Sequence, residues 1–348
     1  MNIPILNIYF MLSYSWNCLD EDHLSKISKS DYDSLQQLFA RVLSNGCKHL
    51  IKRGLDRAYV DISQEYSGIK GKLKFAESLA SNLFSLGKSI SEFDEFEYNV
   101  LHNQIIKTTV AKLLKDKSLD AQTKADLKTS FQNLHKIDQV PINPLTFRKV
   151  QLHRNIKHYD LLLRVCRFIA ENSTLDERTG DFTFREFQRD QRKMAVLFQS
   201  FVFNLLKREQ SDFKVRGEEI EWDLNPLGGS NSFLLPRMRT DITLESEHEK
   251  IIIDTKFYPK TLSTNRFNKE TFYSSDLYQI FSYLLNQERK GVGGRPSRCK
   301  GILLYPQTGQ KLCERFKYRD HEIIIRTVNL ANPWTTLKPE LLDMIADI

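Results

Sequence analysis

Apolar positions along the chain change period several times, and those changes mark its parts. An apolar segment, NIYFMLSYSW, runs from residue 7 to 16 and is followed by polar residues. DYDSLQQLFARVLSNGCKHLIKRG then repeats apolar residues at helical spacing, and Gly54 is placed to end that helix. Strand-like pieces follow at Ala58 to Ile62 and Gly71 to Phe75, on either side of the turn Gly68-Ile69-Lys70-Gly71. From Glu97 to Glu171 the pattern is helical. LHNQIIKTTVAKLLK places Leu101, Ile105, Val110 and Leu114 near one face, and AQTKADLKTSFQNLHKI continues it. Pro141 and Pro144 interrupt, and a further apolar helix spans Asp160 to Asn172.

Beyond residue 182 the order changes. FREFQRDQRKMAVLFQSFVFNLLKRE reads as a long helix with Met194, Leu197, Phe198, Phe201 and Leu205 on one side. A strand at Glu219 to Leu224 and the loop Gly-Gly-Ser-Asn-Ser come next. Two strand-like runs follow, LLPRMRTDITLES (234–246) and EKIIIDTKFY (249–258). A helix at Ser275 to Gln287, strands at Gly301 to Tyr305 and Glu322 to Val328, and a helix at Pro339 to Ile345 complete the series. Helix, strands, helix and strand is the order of a mixed-sheet α/β core. The expectation is therefore an α+β multidomain chain: 1–95 mixed α/β, 96–182 helical, and 183–348 the core.

The two adjacent runs carry the chemistry. Side chains alternate along a strand, so Asp254 and Lys256 share a face while Ile251, Ile253 and Thr255 take the other. A turn at Glu247-His248-Glu249 folds the first run back and sets Asp241 beside Asp254. Two carboxylates and an ammonium on one face suit a hard cation and a phosphodiester. Asp241, Asp254 and the Thr255 main-chain oxygen are the candidate Mg²⁺ ligands, and Lys256 the group that positions water and meets phosphate charge. D-x-K alone is common. In this chain it closes a run of three isoleucines, and a charge beside buried sheet is costly unless paired or metal-bound. On the next helix Gln279 and Tyr283, at i and i+4, share a face and are candidate supporting residues. Glu186 and Glu209 are helix carboxylates with no assigned role, because Gln199 takes the better inner position. The basic, Gly-rich stretch around 288–300 reads first as a surface loop. Its sharper reading gives Arg289, Lys290, Arg295 and Arg298 to DNA phosphates.

Net charge is +7 and pI near 9.0, which fits a polyanionic partner without requiring one. The five cysteines are scattered, and neither they nor the histidines have zinc or iron–sulfur spacing. There is no P-loop, no dinucleotide-binding loop after a strand and no G-x-S-x-G elbow. No apolar run approaches a membrane span and no targeting segment is evident, so the cytoplasm is the expected location.

LLPRMRTDITL followed by IIIDTKFY resembles the PD-(D/E)xK motif of McrC, the nuclease subunit of McrBC modification-dependent (type IV) restriction systems. The similarity extends to NIYFMLSYSW, GIKGKLKF (68–75), LHNQIIKTTVAKLL (101–114), VCRFIAENS (165–173) and LYQIFSYL (277–284). In this chain Thr240 precedes the first acid and the second half-motif is D-x-K. The resemblance implies a restriction-endonuclease-like core behind a ring-docking region. It also implies a Mg²⁺-dependent endonuclease that stimulates an McrB-like AAA+ GTPase hexamer, with GTP bound by that partner and not by this chain. Methylated double-stranded DNA is the implied substrate, and a second copy of the complex meets it through the nuclease domains. Two other readings stay open on the residues alone: a self-sufficient repair nuclease of the same superfamily, and a non-catalytic adaptor that activates an AAA+ ring.

Overall fold

A computed structural model describes residues 2–18, 32–175, 182–184, 187–228, 230–247, 249–264, 266–287 and 299–346. The chain packs as two units, one of residues 32–185 and the other of residues 1–31 together with 186–348. Helix α1, Ile5–Ser15, is the part of the second unit that comes first in the sequence. The stretch 1–95 is therefore divided between the two units.

In the unit of residues 32–185, α2 (Leu35–Arg53) starts where the Ser34 hydroxyl accepts from the Gln37 amide and stops at Gly54, φ 95°. Its buried stripe includes Leu38, Phe39, Val42, Leu43 and Leu50. Strands β1 (Ala58–Ser67), β2 (Lys72–Leu73) and, past α3 (Phe75–Ala80), β3 (Lys88–Glu97) form an antiparallel sheet in the order β1-β3-β2. β1 and β3 pair along ten residues, from Ala58 opposite Glu97 to Ser67 opposite Lys88. Gly71 is obligatory, since a Cβ there would meet the Glu92 carbonyl oxygen at 2.5 Å and its φ is +71°. Much of this ribbon is exposed, including Tyr59, Ile69, Phe75, Leu86 and Phe96. Helices α4 (Leu101–Leu114), α5 (Ala121–Asn133), α6 (Pro144–Arg148) and α7 (Asp160–Glu171) follow, then the short hairpin β4 (Ser173–Leu175) and β5 (Phe182–Phe184).

The second unit is built on a mixed sheet. Its elements are α8 (Gln191–Glu209), β6 (Lys214–Arg216), β7 (Glu219–Ile220), β8 (Met238–Arg239), β9 (Ile242–Glu245) and β10 (Lys250–Thr255). After the small pair β11 (Ser263–Thr264) and β12 (Glu270–Thr271) come α9 (Ser274–Gln287), β13 (Cys299–Pro306), β14 (Cys313–Tyr318), β15 (His321–Val328) and α10 (Trp334–Ala346). The sheet order is β14-β15-β13-β10-β9-β6. β10, β13 and β15 run parallel, and the flanking strands pair antiparallel. All three central strands are buried on both faces, which is why they read as unbroken apolar runs.

Helix α9 packs Ile280, Tyr283 and Leu284 against Ile252, Leu303, Tyr305, Ile323 and Ile325. Gly301 permits that approach, because a Cβ there would lie 2.7 Å from Ile280 Cγ1. Elsewhere in the unit, α1 is locked to α8 and α10. Phe10 stacks on Trp334 at 4.6 Å, Tyr14 meets Phe201 edge-on at 5.9 Å, and Asn7 donates to the Leu330 and Asn332 carbonyls at 2.7 and 2.8 Å. Burying Ile8, Phe10, Met11 and Leu12 contributes about 2 kcal/mol each.

Several elements differ from the pattern expected of the sequence. The apolar segment at 7–16 is helical. The long helix begins at Gln191, where the Asp190 carboxylate accepts from the Arg192 and Lys193 amides. The run 234–246 is broken into β8 and β9 at Thr240, whose amide and hydroxyl are both taken by Glu218 main-chain groups. The strand expected over 219–224 ends at Ile220. β3 and β14 are additional strands.

Candidate active site

The β9–β10 pairing sets Ile242 opposite Ile253, so Asp241 and Asp254 are the next facing positions. Asp241 lies at the bend between β8 and β9. Its Oδ2 accepts from the Thr255 amide at 2.9 Å and the Thr255 hydroxyl at 2.8 Å, and its Oδ1 accepts from Gln199 Nε2 at 2.9 Å. Asp254 is 1% exposed. Both of its oxygens are buried; Oδ1 has no hydrogen-bond donor, and Oδ2 is paired with the Lys256 ammonium at 2.7 Å. Burial is the main cause that pushes the Asp254 carboxyl up to about 6; Lys256 opposes it, and the charges of Asp241 and Asp276 add to it.

Lys256 is held from the helix side as well. Its Nζ donates to Gln279 Oε1 at 2.7 Å, Gln279 Nε2 donates to Tyr283 OH at 2.7 Å, and Tyr283 OH donates to the Arg239 carbonyl at 2.8 Å. This relay ends two residues before Asp241, so α9 fixes the lysine to the segment that carries the first acid. Burial pushes the Tyr283 hydroxyl up, which keeps it neutral and able to donate. Gln279 and Tyr283 thus lie where their helical spacing placed them.

The sequence reading missed Asp276. It is 2% exposed in the first turn of α9 and stands 4.0 Å from Lys256 through Oδ1. Tyr258 and Tyr305 both donate to it. An acid in a first helical turn reads as favourable to the helix dipole, so nothing in its spacing marks it out. Gln199 does face the site, whereas Glu209 is tied to Tyr14 and Lys338 elsewhere in the unit. Glu186, Arg289, Lys290, Arg295 and Arg298 lie outside the described residues. Beside Asp241 an open cleft of about 530 Å³ is lined by Gln199, Ser200, Phe203, Asn204 and Arg239.

A hard cation fits this donor set. Asp254 presents two buried oxygens, of which Oδ1 has no donor, Asp241 is a charged neighbour, and the candidate ligand atoms are all oxygens. Among the described residues no group of three or more His, Cys, Asp or Glu side chains is placed to hold a metal ion together. Two carboxylates are a sufficient protein contribution for an ion that keeps several waters.

Sheet and site together define a mixed α/β chain in which a buried Asp254–Lys256 pair lies beside a second carboxylate, Asp241, bonded to Thr255 of the same strand. The chain belongs to the McrBC family: residues 7–306 match the family model described as McrBC 5-methylcytosine restriction system component. It is 31% identical over 345 residues to the Type IV methyl-directed restriction enzyme EcoKMcrBC of Escherichia coli (strain K12), covering 98% of this chain and 97% of the relative. In fold it is similar to a chain of the refined half-complex from a tetradecameric assembly of Thermococcus gammatolerans McrB AAA+ hexamers with bound McrC. The TM-score there is 0.60 at 16% identity, over 99% of this chain and 76% of the other. The family resemblance seen in the sequence motifs is thereby borne out. Among the described residues no helix is long and apolar enough to cross a membrane.

Proposed function

We infer that this chain is the DNA-cutting component of a methylation-dependent restriction complex whose motor is a separate GTP-hydrolysing AAA+ ring. The observation that carries the inference is Asp254, a buried carboxylate beside Asp241 whose Oδ2 pairs with Lys256 and whose Oδ1 has no donor. In a restriction-endonuclease-like core, Asp241, Asp254 and the Thr255 main-chain oxygen would hold Mg²⁺. When bound, that ion supplies Lewis-acid stabilisation of phosphate charge and a more acidic water. Lys256 sets its ammonium beside the phosphate, where negative charge grows as the bond to the departing 3′ oxygen breaks. Gln279 and Tyr283 keep that ammonium in place, and Gln199 orients Asp241.

The partner reading is supported by family membership and by the exposed apolar side chains of the β1–β3 ribbon, a surface suited to a protein partner. Methylated double-stranded DNA is the proposed substrate, and two nuclease units meeting make the double-strand cut. The test is plasmid cleavage with Mg²⁺, with and without the AAA+ partner and GTP, on methylated and unmethylated DNA. Cleavage confined to methylated DNA with partner and GTP is expected. Cutting by this chain alone would overturn the need for a motor. Stimulated GTP hydrolysis without any cutting would overturn the nuclease.

A further inference from the structure

Helix α9 brings a third carboxylate to the site in a different condition from the other two. Asp276 Oδ1 accepts from Tyr258 OH at 3.1 Å and from Ser275 Oγ at 3.2 Å, and its Oδ2 accepts from Tyr305 OH at 2.8 Å. Those hydroxyls satisfy its hydrogen bonds but not its charge, and a buried charge needs a counter-charge. Among the described residues, the cation within ion-pair distance is Lys256, 4.0 Å away.

Asp254 and Asp276 therefore share one lysine while differing in what else they can bind. Asp254 Oδ1 has no donor and is open to a cation, while Oδ2 has the Lys256 ammonium at 2.7 Å, so an ion bound there draws on the same charge that holds Lys256. The Asp276 oxygens are already engaged by three hydroxyls. A shift of Lys256 Nζ by about 1 Å would turn its 4.0 Å contact with Asp276 into a direct hydrogen bond. Gln279, 2.7 Å away on the same helix, would hold the ammonium through such a shift.

We propose that Asp276, steadied by Tyr258 and Tyr305, is the counter-charge that keeps the Lys256 ammonium at the phosphate once Asp254 is committed to a divalent cation. This rests on the metal-dependent cleavage proposed above. Asp276 is a positioning residue, acting through Lys256 and touching neither DNA nor metal.

The first test needs no cleavage. Acylation of Lys256 by an N-hydroxysuccinimide ester is quantified by mass spectrometry in the full chain, with and without Ca²⁺, while calorimetry records Ca²⁺ binding. In the wild type Lys256 stays protected when Ca²⁺ binds; in Asp276→Asn, Ca²⁺ raises its labelling several-fold. Ca²⁺ heat with identical labelling in both proteins overturns the role of Asp276 alone. Absence of Ca²⁺ heat in the wild type overturns the metal site and this inference with it.

The second test uses the complete complex. Asp276→Asn should lower kcat about tenfold with KM little changed, and should lower it no further in a Lys256→Ala background. An equal loss in that background would show that Asp276 does not act through the lysine. Should Asp276→Asn fail to fold, Tyr258→Phe and Tyr305→Phe carry both tests, with smaller changes in the same direction. No change in either variant would overturn the proposal.

Discussion

Replacing Asp254 with asparagine is expected to make the unit that carries it more stable while removing the proposed cleavage activity. In the folded chain burial holds this carboxyl at about 6, against 3.8 for a free aspartate. At about 1.4 kcal/mol for each tenfold change in proton affinity, the neutral form is favoured by about 3 kcal/mol. Because the folded value is the higher one, the folded chain binds more protons than the unfolded chain between those two values. That stability is fully present below the free-aspartate value and is lost as pH rises through about 6. Asparagine keeps the shape without the charge, so Asp254→Asn should gain about 3 kcal/mol at pH 8 and almost nothing near pH 4. The assay is denaturant unfolding followed by tryptophan fluorescence. Trp16, Trp222 and Trp334 all belong to the unit that carries the site, so the signal reports that unit. Added Mg²⁺ should narrow the difference by stabilising the wild type alone. A variant no more stable than the wild type at pH 8, or a gain of equal size at both pH values, would refute the reasoning.

Three other outcomes follow from the packing. Lys256→Ala should lower cleavage by roughly a hundredfold or more while calorimetric metal affinity stays close to that of the wild type; a lost metal affinity would make the lysine part of the cation site instead of a partner of the phosphate. Gly301→Val should cost about 1–3 kcal/mol, because its Cβ would meet Ile280 and push α9 from the sheet. It should also lower kcat more than it raises KM, by moving Asp276 and Gln279 away from Lys256. Asn7→Ala leaves the Leu330 and Asn332 carbonyls without their donor, and should destabilise the catalytic unit by about 2 kcal/mol in the same fluorescence assay. Unchanged unfolding there would mean that α1 is not an integral part of the unit.

Asp254, Thr255 and Lys256 were legible because strand alternation is a local rule and three isoleucines announce a buried strand. Asp241 needed only the assumption of a turn, and the antiparallel register of β9 and β10 agrees with it. Gln279 and Tyr283 emerged from helical spacing. Asp276 did not, since its role depends on Tyr258 and Tyr305, one following β10 and one on β13, and no local pattern links those three. β14 was invisible for another reason: every residue from Cys313 to Tyr318 is exposed, so this edge strand carries no apolar alternation. The helical state of residues 5–15 was hidden because its residues from Asn7 to Tyr14 are buried all round, which leaves no amphipathic stripe to read.

The placement of α1 has a consequence for how the protein is made. Its partners, α8 and α10, lie beyond residue 190 and are synthesised after it. During translation an apolar helix therefore leaves the ribosome long before the surfaces that bury it exist, while the unit of residues 32–185 has time to fold first. The unit bearing Asp254 is sealed only when α10 has packed on α1. A truncated product that stops short of α10 would display Phe10 and Tyr14, and is expected to be recognised by chaperones and proteases as incomplete.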